Sequence, residues 1–327
     1  MDNNPLSTSR IAKLYKTDIR RLQKAYKDKL SGYNDWSQKS HAENWLLFSK
    51  NLGFYLSIDE TSLSNGELYT ILTNKYAKGG PGAIVAIIKG TKSEDIIKRL
   101  NTIPVSRRNM VKEITLDMAG SMNLIAKKCF PKATIVTDRF HVQMLASDAV
   151  QEQRIKFRWK AIDLENEAIS EAKKLNQKFH SYTFSNGDTR KQLLARSRFL
   201  LFKSSTKWTK LQVQRAEILF KEYPTIQETY LLAQKLSYIF ENNTDKDIAR
   251  VKLAKWYNEV ESSGYKAFNT ISKSIYNHYE SILNYFNNRS TNASAESFNA
   301  KIKDFRRQFR GVRDIPFFLF RLCKLYA

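Results

Sequence analysis

Apolar residues follow two rhythms along this chain, and the change of rhythm marks its organisation. Over residues 1 to 50, Ile11, Leu14, Ile19, Leu22 and Tyr26 recur at roughly helical spacing. A short helix, a break near Lys16-Thr17 and a basic second helix predict either a helix-turn-helix or an amphipathic lead-in packed on the core. From residue 51 to 146 the pattern becomes that of strands. "FYLSID" and "LYTILTN" read as two strands joined through an Asn65-Gly66 turn. "AIVAIIKG" is almost wholly apolar, which predicts a strand buried on both faces. "VKEITLDMAG" and "ATIVTDRFHV" predict a fourth and a fifth strand. "EDIIKRLNTI", capped by Ser93, and "SMNLIAKKCF" predict helices stopped by Pro104 and Pro131. Hairpin-type strands followed by alternating helices and strands imply an α/β fold, a mixed sheet with helices on its faces.

Residues 147 to 286 return to the helical rhythm. One long helix runs through "VQMLASDAVQEQRIKFRWKAIDLENEAISEAKKL", with Ala149, Ile155, Trp159 and Ile162 as a partial apolar stripe. Further helices are punctuated by "SNGDT", "YPT", "NNTD" and "SSG". Residues 287 to 327 read as helix, glycine break, helix. In "NASAESFNAKIKDFRRQFR", Ala295, Phe298, Ile302, Phe305 and Phe309 make a buried face. A second stripe runs one position round: Asn292, Glu296, Asn299, Lys303, Arg306 and Arg310.

Charge then narrows the partners. The 327 residues carry 55 Lys plus Arg against 32 Asp plus Glu, a formal net charge of +23. Such a balance points to a polyanion, with nucleic acid the first choice and a membrane surface a poorer one. No apolar run reaches the ~18 residues that span a bilayer, and no leader-like segment opens the sequence, so a cytoplasmic, nucleoid-associated location is expected. Cys129 and Cys323 are the two cysteines, far apart. They argue for a reducing compartment and against a disulfide scaffold or a zinc site. The sequons at 242 and 292 have no secretory context.

Against that background three acids stand out. Asp59 ends the first predicted strand, Asp117 ends the fourth, and Glu296 heads the basic late helix. With the first strand central and the fourth beside it, both aspartates fall at neighbouring strand ends, where α/β folds place ligands. Three carboxylates in a basic protein make chemical sense as ligands of Mg²⁺, which takes hard oxygen donors and substrate phosphate. Any one of them alone reads as a solvated strand-end acid; the ligand reading rests on the joint pattern. His141 reads either as a site residue or as a hydrogen-bonded core histidine. Trp159 and Trp208 read as core side chains or as stacking platforms for a splayed base.

Taken together, "LSIDETSLSNGELYTILTNK", "EITLDMAGSM", "FPKATIVTDRFHVQ", "RIKFRWKAI" and "NASAESFNAKIKDFRRQFRGVRD" resemble bacterial insertion-sequence transposases of the ISL3 type, in their short Bacteroidetes-like branch. The resemblance covers essentially the whole chain. It implies an RNase H-like core with a DDE triad and a large all-α insertion before the last catalytic helix. Carried over, the triad falls on Asp59, Asp117 and Glu296, holding two Mg²⁺ ions, with Mn²⁺ as a substitute. Asp138 is the alternative second aspartate; otherwise "DRFH" makes Asp138 and His141 auxiliary residues. The implied activity is cleavage at the element's terminal inverted repeats and transfer of the 3′-OH to target DNA, by a homo-oligomer. Lys303, Arg306, Arg307 and Arg310 would hold phosphate, as would Arg154, Lys156 and Arg158. Family members often carry an N-terminal zinc ribbon. This sequence has no Cys-x-x-Cys pair, so end recognition is expected from a separate upstream-frame polypeptide. An RNase H-like nuclease without strand transfer, or a non-catalytic transposon-derived DNA-binding protein, are the competing readings.

Overall fold

The computed structural model describes all residues except 1, 3, 65, 310 and 311. The expected Asn65-Gly66 turn is therefore half outside the described residues, with Gly66 at φ +82°, a left-handed conformation that glycine adopts without a side-chain clash. The chain divides into two compact units, Met1–Asp138 with Asn288–Ala327, and Arg139–Asn287.

The first unit is built on a six-stranded mixed sheet: β1 (Trp45–Leu47), β2 (Tyr55–Ser64), β3 (Glu67–Asn74), β4 (Ile84–Lys89), β5 (Glu113–Leu116) and β6 (Thr134–Thr137). Their order is β1-β4-β3-β2-β5-β6. β2, β3, β4 and β1 pair antiparallel, whereas β5 lies parallel to β2 and β6 parallel to β5. β1 corrects one expectation, since it falls inside the first 50 residues, which read as helical. A three-residue edge strand carries too little alternation to show in a sequence.

Helices α1 (Thr8–Leu14) and α2 (Ile19–Ala25) precede the sheet. They are separated at Lys16, whose φ of +50° breaks the helical path. Leu14 and Ile19 are exposed while Tyr26 is buried, so the predicted apolar stripe packs only at its far end. There Tyr26 and Tyr33 join Phe317 and Phe320 in a small aromatic cluster.

The faces of the sheet are covered separately. On one lie α3 (Ser93–Leu100) and α5 (Gly120–Cys129), with the short α4 (Val105–Arg108) between them in the chain. Ile96, Leu100, Met122, Ile125 and Cys129 of α3 and α5 pack there on Leu56, Ile58, Ile114 and Leu116. Ser93 is the first residue of α3 and makes no side-chain cap, contrary to its expected role. Two late helices, Ala293–Gln308 and Ile315–Tyr326, cover the other face. Their Phe298, Ile302, Phe305, Leu319 and Leu322 pack on Tyr69, Ile71, Ile84 and Ile87. Side chains alternate along a strand, so this division fixes which way each acid points. The result is α/β with an RNase H-like mixed sheet flanked by helices, and a large all-α insertion ahead of the late helices.

That insertion comprises α6 (Arg139–Lys174), α7 (Arg190–Arg196), α8 (Lys210–Glu222), α9 (Pro224–Glu241), α10 (Lys246–Ser263), α11 (Lys266–Asn277) and α12 (Tyr279–Leu283). The short α13 (Tyr285–Asn288) leads back to the late helices, α14 (Ala293–Gln308) and α15 (Ile315–Tyr326). Trp256 is the insertion's largest buried side chain and donates to the Leu232 carbonyl at 2.9 Å. Trp208 packs on Phe220 and Tyr230. On α6 the expected stripe fails at two positions, because Ile155 and Trp159 are exposed, Trp159 by 62%. The buried residues there are instead Val142, Ala146, Ala149, Val150, Gln151, Arg154 and Ala161. Among the described residues no helix is long and apolar enough to cross a membrane.

Phe305 is fully buried against Phe309 and Phe318, under the Arg321 guanidinium. Phe305→Ala should lower the unfolding free energy of the sheet unit by about 3–5 kcal/mol, measured by urea denaturation. A loss below about 1 kcal/mol would contradict this packing.

Candidate metal-binding active site

The site begins with strand register. β2 and β5 pair Tyr55 with Glu113 and Ser57 with Thr115. β5 and β6 pair Glu113 with Thr134 and Thr115 with Val136. Two residues further along each strand stand Asp59, Asp117 and Asp138. The Asp138 N–H donates to the Leu116 carbonyl at 2.9 Å, carrying the β5–β6 ladder up to this row. Ile58, Ile114 and Leu116 belong to the core under α3 and α5, so alternation turns the three aspartates to the face covered by α14. Neighbouring strands lie about 5 Å apart. Asp117 thus occupies the middle of the row, with Asp59 and Asp138 on either side. Asp138 follows β6 rather than sitting within a strand, and it is almost fully buried.

α14 is docked on β2 by side chains seven residues apart, which share one helical face. Asn292 donates to the Ile58 carbonyl at 3.5 Å, Asn299 to Asp59 Oδ2 at 2.7 Å, and Arg306 to the Ser62 and Leu63 carbonyls at 3.1 Å. The other oxygen of Asp59 accepts from the Glu60 N–H at 2.8 Å. Asp117 Oδ1 accepts from the Ala119 N–H at 2.8 Å. Glu296, in the first turn of α14, is exposed, and one of its carboxylate oxygens comes within 4.8 Å of one of Asp138.

Beneath the row lies a buried polar layer that sequence reasoning missed. Lys75 donates to Thr115 Oγ1 at 2.8 Å and to Glu113 at 3.4 Å, and Asn288 donates to the other Glu113 oxygen at 3.1 Å. Burial pulls the Lys75 pKa down, against the opposing pull of Glu113 and Asp138. The signal was present in "VKEITLD": Glu113, Thr115 and Asp117 alternate with apolar residues, so all three face the same way. Glu60 is pushed up in pKa, first by burial and then by the carboxylates of Asp117 and Asp59. Negative charge is therefore concentrated at this spot in a chain of net charge +23. A set of hard carboxylate oxygens on rigid elements fits a divalent cation such as Mg²⁺ or Mn²⁺.

With this geometry in view, comparison with known proteins is informative. A family model described as a transposase, of the ISL3 DDE type, matches residues 56–322. The chain belongs to the ISL3 transposase family. A curated relative, the transposase for insertion sequence element IS1001 of Bordetella parapertussis, is 23% identical over 269 residues. That match covers 82% of this chain and 60% of the relative, so the chain spans less than two thirds of that protein's length. No solved structure matches.

The residues expected to hold DNA divide sharply. Lys303 and Arg307 are exposed on α14, Arg307 beside Asp304. Arg306 lies next to them but is committed to the β2 carbonyls. The expected polar stripe on α14 is in fact two: Asn292, Asn299 and Arg306 turn inward, while Glu296, Lys303 and Arg307 turn outward. Arg310 lies outside the described residues. Arg154 is corrected. It is 4% exposed and donates to Gln151 and to the Leu194 carbonyl, and burial depresses its pKa, so its charge serves the helical unit's interior. Arg158 and Lys156 are exposed, Lys156 paired with Glu152. His141, in the first turn of α6, belongs to the helical unit and stands edge-on to Phe140.

Mn²⁺ at ten times its dissociation constant should stabilise the protein by about 1.4 kcal/mol, read as a rise in melting temperature. Asn299→Ala, which leaves Asp59 Oδ2 without this donor, should weaken Mn²⁺ binding about 10–100-fold. An unchanged Mn²⁺ titration in that variant would contradict the orienting role of Asn299.

Proposed function

We propose that this chain is the catalytic part of an insertion-sequence transposase that cuts DNA at the element's ends and joins the freed 3′-OH to target DNA. The observation that carries the reading is the row Asp59, Asp117 and Asp138, level on three parallel strands, with Glu296 of α14 beside Asp138. Asp59 lies within β2, which runs on to Ser64, and not at its end as the sequence suggested, whereas Asp117 and Asp138 directly follow β5 and β6. Family membership supports the same assignment.

Asp59, Asp117 and Glu296 would be the principal ligands of a pair of divalent cations, with Asp138 a fourth carboxylate beside Glu296. Bound there, such cations activate water and offset charge on the attacking and leaving oxygens of the phosphodiester. Everything else falls to the chain. Asn299 and the Glu60 N–H fix the Asp59 carboxylate at both oxygens. The Ala119 N–H holds Asp117. Lys75 and Glu113 form a rigid polar floor. Lys303 and Arg307, on the outer stripe of α14, hold the backbone of the strand whose phosphate lies over the row. Acting on paired ends calls for more than one copy of the chain. Recognition of the terminal repeats by an additional polypeptide belongs to the same reading.

The test is strand cleavage and strand joining on DNA carrying an element end, with Mg²⁺. Asp59→Ala, Asp117→Ala and Glu296→Ala should each reduce both to background. Asp138→Asn should cost about 10–100-fold. Cleavage that survives Asp59→Ala overturns the assignment, and cut DNA without joined product reduces it to a nuclease. Should Asp138→Asn abolish activity while Asp117→Asn leaves it intact, Asp138 is the second catalytic aspartate.

A further inference from the structure

Glu296, Lys303 and Arg307 are exposed along one face of α14. Seven and eleven residues are close to two and three whole turns, so the three side chains stand nearly in line. At its far end this stripe meets a second element. Ser7, Ser9, Arg10 and Lys13, from α1 and its cap, line a cleft of about 600 Å³ together with Asp304, Arg307 and Gln308 of α14. All of these residues belong to the sheet unit. Three cations and two hydroxyls thus converge from positions nearly 300 residues apart in sequence.

Charge says what the cleft takes. Asp304 is its one acid, and it is paired with Arg307 in an exposed i,i+3 contact, an arrangement of small energetic worth that yields readily to a stronger anion. Arg10 and Lys13 make no ion pair among the described residues. The lining is almost devoid of apolar side chains, so it offers nothing to a hydrophobic partner. Its volume exceeds one phosphate and suits a short run of sugar–phosphate backbone.

We propose that Arg10, Lys13 and Arg307 form a phosphate cradle that holds the DNA backbone at a fixed distance from the active site. The proposal rests on the reading of Glu296 as part of that site. Helical rise puts Arg307 about 16 Å from Glu296 along α14. At 3.4 Å per nucleotide along a strand, the cradle grips phosphate about five nucleotides from the one being cut. α1 and α2 are then not a base-reading module in this region. α1 supplies the outer wall of a backbone track that measures distance from the cut.

The test is binding of a short duplex carrying an element end, measured against KCl concentration. In the Arg10→Gln, Lys13→Gln double variant the slope of log K against log[KCl] should become shallower by about 2. Arg10→Lys should keep the wild-type slope. Both side chains are exposed, so the melting temperature should not change. Methylphosphonates placed one at a time along the strand locate the contact. Neutralising phosphate about five nucleotides from the cut should weaken the wild type by roughly tenfold and the double variant, which keeps Arg307, by clearly less. An unchanged salt slope, or the same methylphosphonate penalty in both proteins, overturns the cradle. Asp59→Asn keeps the slope and loses cleavage if the active-site reading holds. An Asp59→Asn protein that still cleaves overturns that reading, while the cradle stands or falls on the binding data alone.

Discussion

The pairing of three parallel strands is the constraint on which the rest depends. Because β5 and β6 run alongside β2 in a register without slip, Asp59, Asp117 and Asp138 arrive at the same level and on the same face. A one-residue shift in any of these strands would turn its aspartate into the apolar core under α3 and α5. The register is enforced by Leu56, Ile58, Ile114 and Leu116, which occupy the alternate positions and are fully buried. The apolar half of each strand thereby aims the acidic half. Burial raises the pKa of nearby Glu60, and the carboxylates of Asp117 and Asp59 raise it further; a divalent cation would offset the repulsion among carboxylates gathered in this way.

The second requirement is that α14 return to the sheet after an insertion of about 150 residues. Two kinds of contact hold it. Phe298, Ile302 and Phe305 bury an apolar stripe, while Asn292, Asn299 and Arg306 hydrogen-bond to successive points along β2. The apolar stripe sets how deep the helix sits. The polar ladder sets where it sits along the strand, and so where Glu296 comes to rest. Asn288, at the point where the chain re-enters the sheet unit, is tied to buried Glu113 on β5, which fixes the return close to the aspartate row.

Much of this was legible in the residues. The alternation in "FYLSID", "AIVAIIKG" and "VKEITLD" marked the strands. The spacing from Ala295 to Phe305 marked the buried face of α14. What stayed hidden depends on contacts remote in sequence. No local pattern separates Arg306, which reaches β2 carbonyls, from Arg307, which faces outward, since both sit in the same basic run. Arg154 reads as one cation among several on a long helix, yet the Leu194 carbonyl 40 residues away draws it inside. Trp159 reads as core by its chemistry, but nothing in the helical unit covers it. β1 is too short to declare itself, and it is defined only by pairing with β4. The aspartate row required the register itself, which no single strand encodes.

The central claim is that carboxylates from separate strands and from α14 share divalent cations. Crystals of the protein soaked in Mn²⁺ and measured at the manganese absorption edge test it most directly. The account predicts anomalous peaks among Asp59, Asp117, Asp138 and Glu296, with carboxylate oxygens at about 2.0–2.6 Å from the metal. Ordered Mn²⁺ elsewhere on the protein, with that position empty at saturating metal, would contradict it.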